Sequence, residues 1–147
     1  MKKILLLFAL SLMVLSCNVS AKNEVILQNN ASKTTNNNYV EVLYFHGKQR
    51  CATCIAIEEN TKYVMQKYFA KQIKDGNVIF KVIDISKKEN EKIAEKYEVT
   101  WSSLFLVKHK DGQETSKNMT EFAFGNAYNS PDVFKTDMVK SVNEMLK

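Results

Sequence analysis

Cys51-Ala52-Thr53-Cys54 stands between two segments of different periodicity, and that position constrains the chain more than any other feature. Before it run Val40, Val42, Leu43, Tyr44 and Phe45, which mix alternation with continuous apolarity as a strand buried on both faces does. After it, Cys54, Ile57, Thr61, Met65, Phe69 and Ile73 recur at spacings of three and four, with Glu58, Glu59, Lys62 and Lys67 between them. That is the pattern of an amphipathic helix, predicted to end near Asp75-Gly76, with Asn60-Thr61 as a bend or break. A cysteine at a helix N-terminus meets unpaired backbone N–H groups and the positive end of the helix dipole, so its thiolate is favoured. A second cysteine three residues on is close enough to close a disulfide. The pattern predicts a redox dithiol, with Cys51 the exposed attacking thiol and Cys54 the more buried resolving one.

The start of the chain sets the redox context. Lys2 and Lys3 precede an apolar run from Ile4 to Leu15 that is too short to span a bilayer permanently, so residues 1–16 read as an export signal. Val14-Leu15-Ser16-Cys17 resembles the bacterial lipobox, which implies that Cys17 is lipidated and becomes the first residue of the mature chain. An ordinary secretory signal is the alternative. Of the three cysteines, lipid then takes one and leaves the Cys51/Cys54 pair, in a compartment where a dithiol is kept oxidised or is reduced by a membrane partner. The expected location is extracytoplasmic and membrane-anchored, on the periplasmic side.

Residues 17–38 are rich in Asn, Ser, Thr and Lys and read as a flexible tether, and residues 39–147 suffice for one domain with one core. Within 39–147, 17 Lys plus Arg stand against 15 Asp plus Glu, so most of the net charge of +5 belongs to the signal and tether. The basic balance is therefore weak support for nucleic-acid binding, and none is expected.

Inside the domain, Val78 to Ile85 is an almost wholly apolar, β-branched run and reads as a central strand. Ser86 with Glu89 three residues on has the capping-box pattern, before a short helix whose apolar face is Ile93 and Tyr97. Leu104 to Val107 is a third strand, and Asp111-Gly112 is a hairpin turn leading to a fourth around Thr120 to Phe124. Ser130-Pro131-Asp132 starts a terminal helix with Phe134, Met138, Val142 and Met145 inward. Phe122, Phe124 and Tyr128 read as core.

Strand, helix, strand, helix, strand, strand, helix, with the dithiol between the first strand and the first helix, resembles the thioredoxin-like superfamily over residues 39–147. The resemblance implies an α/β fold, a three-layer sandwich with a central mixed four- to five-stranded sheet and flanking helices. Tyr44-Phe45-His46-Gly47, Arg50-Cys51-Ala52-Thr53-Cys54 and Ile57-Glu58 resemble a narrower bacterial group, the ArsF-type proteins labelled as nitroreductase subunits. That label does not itself establish nitroreductase chemistry.

Three departures from thioredoxin bear on chemistry. Arg50 replaces the Trp before the first cysteine and Ala52-Thr53 replaces Gly-Pro; a cation beside the thiol stabilises the thiolate and makes the disulfide more oxidising. The buried acid of strand one has no counterpart among Val42, Leu43, Tyr44 and Phe45, which leaves Glu58, one turn after Cys54, as the nearest candidate for proton transfer. Ser103 stands where the family carries a cis-proline facing the dithiol, and the chain's one proline is Pro131. In the family that proline shapes the substrate groove and discourages metal binding, so its loss favours a specialised partner or metal binding.

His46, Lys48 and Arg50 form a basic loop beside the thiols, read either as tuning and recognition of an acidic partner or as a solvated loop. Thr100, Trp101, Ser102 and Ser103 are expected to line a substrate groove opposite the dithiol. A metal half-site is the other use of the pair, but further soft ligands are limited to His46 and His109, so no metal and no cofactor beyond the Cys51/Cys54 disulfide is expected. The reading is a membrane-tethered thiol–disulfide oxidoreductase acting on a protein thiol or disulfide client and served by a membrane redox partner. The alternative is a non-enzymatic binding module or electron-delivery subunit of a membrane complex, with metal binding as one form of it.

Overall fold

The computed structural model describes residues 37–147. The export signal of 1–16, Cys17 and the tether through residue 36 lie outside the described residues.

Strand β1, Tyr39–His46, is buried at every position but its two ends and occupies the middle of the sheet. It pairs in parallel with β2, Val78–Asp84, and antiparallel with β3, Ser103–Lys110, which carries β4, Gln113–Asn118, on its far side. The strand order is β2-β1-β3-β4, a mixed four-stranded sheet. Val42 sits opposite both Phe80 and Leu106, and Tyr44 opposite both Val82 and Leu104.

Alternation along β1 sends successive side chains to opposite faces, and each face has its own core. Val42 and Tyr44, with Leu104 and Leu106 of β3, pack against Ile57, Val64 and Met65 of helix α1, Ala52–Tyr68, and against Phe134, Met138 and Val142 of helix α5, Pro131–Met145. Leu43 and Phe45, with Ile83, Phe105 and Val107, pack against Val99 and, at the margin, Ile93 and Tyr97. Ile93 belongs to the short helix α3, Glu91–Lys96. Helices thus cover both faces, and the chain has the thioredoxin-like α/β architecture, with a parallel βαβ unit followed by a β-hairpin and a helix.

Several local expectations are corrected. The helix after Cys51 is not broken at Asn60-Thr61. Thr61 Oγ1 donates to the Ile57 carbonyl at 2.7 Å and Asn60 Nδ2 to the Ala127 carbonyl at 2.9 Å, so both side chains are satisfied with the helix intact. The interruption comes at fully buried Phe69, whose φ of −122° separates α1 from α2, Ala70–Lys74. Gly76, at φ 75°, closes this segment where the Asp75-Gly76 signal predicts.

The run from Val78 to Ile85 forms an edge strand rather than a central one. Its apolar residues fit because Phe80 and Ile83 find cover, while Val82 stays 38% exposed and Lys81 reaches Glu41 of β1. Ser86 does not cap a helix: its N–H and hydroxyl both donate to Asp84 Oδ1, at 3.0 and 2.7 Å, closing an Asx turn. A single 3-10 turn, Lys88–Asn90, intervenes before α3.

The hairpin turn falls at Asp111-Gly112, both at positive φ (53° and 79°), as predicted. The strand it leads to, however, is Gln113–Asn118, and Thr120–Asn126 is a helix, α4. Every residue of β4 is exposed, so no alternation marks it, whereas Met119, Ala123 and Ala127 at a spacing of four bury one helical face. Of the three aromatics expected in the core, Phe122 stacks on Phe134 with ring centroids 5.9 Å apart, Phe124 is half-buried, and Tyr128 is exposed.

Candidate redox site

β1 ends at His46, and the four residues from Gly47 to Arg50 lead to Cys51, which is the N-cap of α1. Its extended backbone (φ −79°, ψ 167°) lets Cys51 Sγ accept the Cys54 backbone N–H at 3.2 Å, the hydrogen bond that Ser or Asp makes at an N-cap. The helix start therefore directs an unpaired backbone donor and the positive dipole end at this sulfur. Cys51 is exposed and Cys54 buried, both as free thiols, with their sulfurs 2.6 Å apart. The two sulfurs adjoin, as exchange between them requires.

A polar cluster lies behind Cys54. The phenol of Tyr44, fully buried on β1, donates to the Cys54 carbonyl at 2.7 Å. The guanidinium of Arg50 lies 5.8 Å from the centre of the Tyr44 ring, and one of its nitrogens is 3.4 Å from the same carbonyl. Burial raises the Tyr44 hydroxyl above its ordinary pKa despite hydrogen bonds from Arg50 and Ser102, so it remains protonated. Burial also pushes the Cys54 thiol upward. Hydrogen bonds from Cys51 and Ser102 and the charge of Arg50 outweigh it, and the thiol ends below its ordinary value.

Glu58 sits one turn beyond Cys54, buried and ion-paired with both Arg50 and Lys62. Burial alone raises its carboxyl, but the Lys62 hydrogen bond and the Arg50 charge hold it below the usual range. A carboxylate that binds its proton this weakly is a poor acceptor for a thiol proton. Its ion pairs make it an anchor for Arg50.

Thr100, Trp101 and Ser102 face Cys51 and Cys54 across an open groove, joined by Phe124 of α4. Trp101 is 58% exposed and lies against Phe124, ring centroids 5.2 Å apart. Ser103 is buried, and its hydroxyl donates to the Trp101 carbonyl at 3.1 Å, so it supports the groove without lining it. His46 also lies off the groove, with Nδ1 3.0 Å from the Gly47 carbonyl and its ring near Tyr44. No peptide bond among the described residues is cis. Nor do the described residues bring together three or more His, Cys, Asp or Glu side chains fit to hold a metal ion, so the pair offers two sulfur ligands where a tetrahedral site takes four.

Two members of this site carry no sequence signal for it. Tyr44 reads as a strand residue among other apolar ones, and the partner of its hydroxyl lies ten positions away. Phe124 reaches the groove through the packing of α4 on the sheet. Arg50 is legible as a cation beside the thiols, but its turn inward to Glu58 depends on the burial of that carboxylate.

No family model matches this chain, and no curated protein matches it. Among solved structures it is similar to thioredoxin-2, a component of the malaria parasite protein secretion machinery, at 23% identity over 70% of this chain and 84% of that one, TM-score 0.44. It is also similar to an uncharacterized thioredoxin-like protein from Clostridium perfringens, at 13% identity over 77% and 76%, TM-score 0.48. A third similarity is to mitochondrial thioredoxin 3 from Saccharomyces cerevisiae, at 22% identity over 74% and 81%, TM-score 0.42.

Proposed function

We propose that the chain is a thiol–disulfide oxidoreductase that works through Cys51 and Cys54. The observation that carries the reading is the pairing of an exposed thiol at a helix N-terminus with a buried thiol 2.6 Å away, at the edge of an open groove. In the reducing direction, the Cys51 thiolate attacks one sulfur of a client disulfide. A Cys51–client bond forms, and the other client sulfur leaves with the electron pair and takes a proton from water. Cys54, as thiolate, then attacks Cys51 Sγ and releases the second client thiol. The protein dithiol loses two electrons and the client disulfide gains them. The oxidising direction is the reverse.

The client surface is the groove of Thr100, Trp101, Ser102 and Phe124, where one open side and one large exposed ring suit an extended protein segment. Membrane tethering through Cys17, an extracytoplasmic location and a membrane redox partner belong to the same proposal and rest on Val14-Leu15-Ser16-Cys17. Cys54→Ser should trap a covalent client complex that reductant dissolves, and Cys51→Ser should trap none. Equal trapping by both variants, or by neither, refutes the assigned roles.

A further inference from the structure

The groove beside the dithiol combines one large exposed ring with walls that offer neither a free cation nor a free carboxylate. Arg50 is the one residue of its lining that carries a permanent charge, and the guanidinium is turned inward. It is ion-paired with buried Glu58, one of its nitrogens lies 3.4 Å from the Cys54 carbonyl, and it sits 5.8 Å from the centre of the Tyr44 ring. Lys48 is exposed but is not part of the lining. An acidic group entering the groove would lose water without gaining a counter-charge, and a basic group would find Glu58 already held by Arg50 and Lys62. Trp101 offers the opposite. Its side is 58% exposed, Phe124 braces it with ring centroids 5.2 Å apart at 32°, and the Ser103 hydroxyl holds its backbone carbonyl at 3.1 Å. A large ring already fixed in place loses little freedom when a second apolar side chain packs on it. Gln49 and Thr100 add polar groups at the rim that suit a client backbone.

We propose that Trp101 is the specificity-determining residue of the dithiol, and that the groove selects client disulfides whose cysteine is flanked by an uncharged aromatic side chain, which packs on the exposed part of the Trp101 ring. The inference rests on the oxidoreductase reading and names its substrate class. The client sulfur bonded to Cys51 stands in the same groove as Trp101, so the residue beside the client cysteine is the one brought against the ring. An acidic client, the other reading of the basic loop, is disfavoured because Arg50 is already engaged by Glu58.

The test uses the reduced chain, in excess, and the disulfide dimers of a short peptide whose single cysteine is preceded by Phe, Ala or Glu. Cys51 bonds to one peptide sulfur and releases the other peptide as a thiol; Cys54 then displaces the first, so the chain dithiol loses two electrons and two peptide thiols form. Each rate is divided by that of dithiothreitol with the same peptide, which removes differences in the peptide's own reactivity, and a thermal melt reports the fold of each variant. The Phe peptide should react about tenfold faster than the Ala peptide, the effect of one aromatic pair, and the Glu peptide no faster than the Ala peptide. Trp101→Ala should bring the Phe-to-Ala ratio near one, whatever it does to the rates themselves, and Trp101→Phe should keep most of it. Equal corrected rates for the three peptides, a Glu peptide faster than the Phe peptide, a ratio unchanged in Trp101→Ala, or one lost equally in Trp101→Phe overturns the proposal and leaves the oxidoreductase reading standing. A chain that reduces none of the peptides overturns that reading and the proposal with it.

Discussion

Replacing Glu58 by Gln isolates the anchor of the polar cluster. The side chain keeps its shape and one acceptor oxygen but loses the charge that pairs with Arg50 and Lys62. The two partners differ in exposure, with Arg50 25% and Lys62 46% accessible at the side chain. The Lys62 link is an i,i+4 pair near solvent and contributes about 0.4 kcal/mol. The Arg50 link is a mostly shielded ion pair, and leaving a partly buried group without its counter-charge costs about 1.5–2 kcal/mol. The variant should lose about 2 kcal/mol at neutral pH, a fall in Tm of about 8 °C for a domain of this size. The deficit should also depend on pH. The folded state holds the Glu58 carboxyl below its ordinary value, so its contribution is fully present above the unfolded-state pKa near 4.5 and is lost as pH falls through the lower folded value. Urea unfolding of both proteins at neutral pH and at pH 3 reads this directly. Equal stability at neutral pH, or a deficit of the same size at both, would refute the claim that charge holds this cluster together.

The chain has a single tryptophan, and Trp101 lies in the groove with the dithiol, so its emission should rise when the pair is reduced and stay constant in a Cys51→Ser/Cys54→Ser double variant. Identical spectra in the two redox states would remove Trp101 from the neighbourhood of the sulfurs. If Cys17 is lipidated, the chain expressed in a bacterial host should fractionate with membranes and Cys17→Ser should release it; a variant that stays membrane-bound refutes the lipid anchor.

The parts of the fold legible in the sequence are those whose burial pattern is local. β1 reads correctly because each of its faces meets a core, and α5 because Phe134, Met138 and Val142 repeat on one helical face. β2 is misread as central because apolar density reports that side chains find cover, not that a strand has neighbours on both sides. β4 is missed because Gln113–Asn118 is exposed throughout, so its place in the sheet depends on backbone pairing with β3 and on the Asp111-Gly112 turn. At the site, the Cys51/Cys54 pair, Arg50 and the groove segment Thr100–Ser102 can be anticipated from order along the chain. Tyr44 and Phe124 cannot, since each becomes a site residue only when a distant element packs against it. Glu58 is found by its spacing, but its ion pairs with Arg50 and Lys62 appear only in the folded chain.

The central place of β1 has a consequence for how the molecule breathes. Its amide groups are tied on one side to β2 and on the other to β3, so fraying of β2 leaves the β3 ladder in place and fraying of β4 leaves both. The segment that delivers the loop to Cys51 is therefore freed by global opening of the sheet, whereas β2 and β4 can exchange their amides through smaller local openings. Through the bond from Tyr44 to the Cys54 carbonyl, the start of the thiol-bearing helix is fastened to the strand whose amides should exchange more slowly than those of either edge.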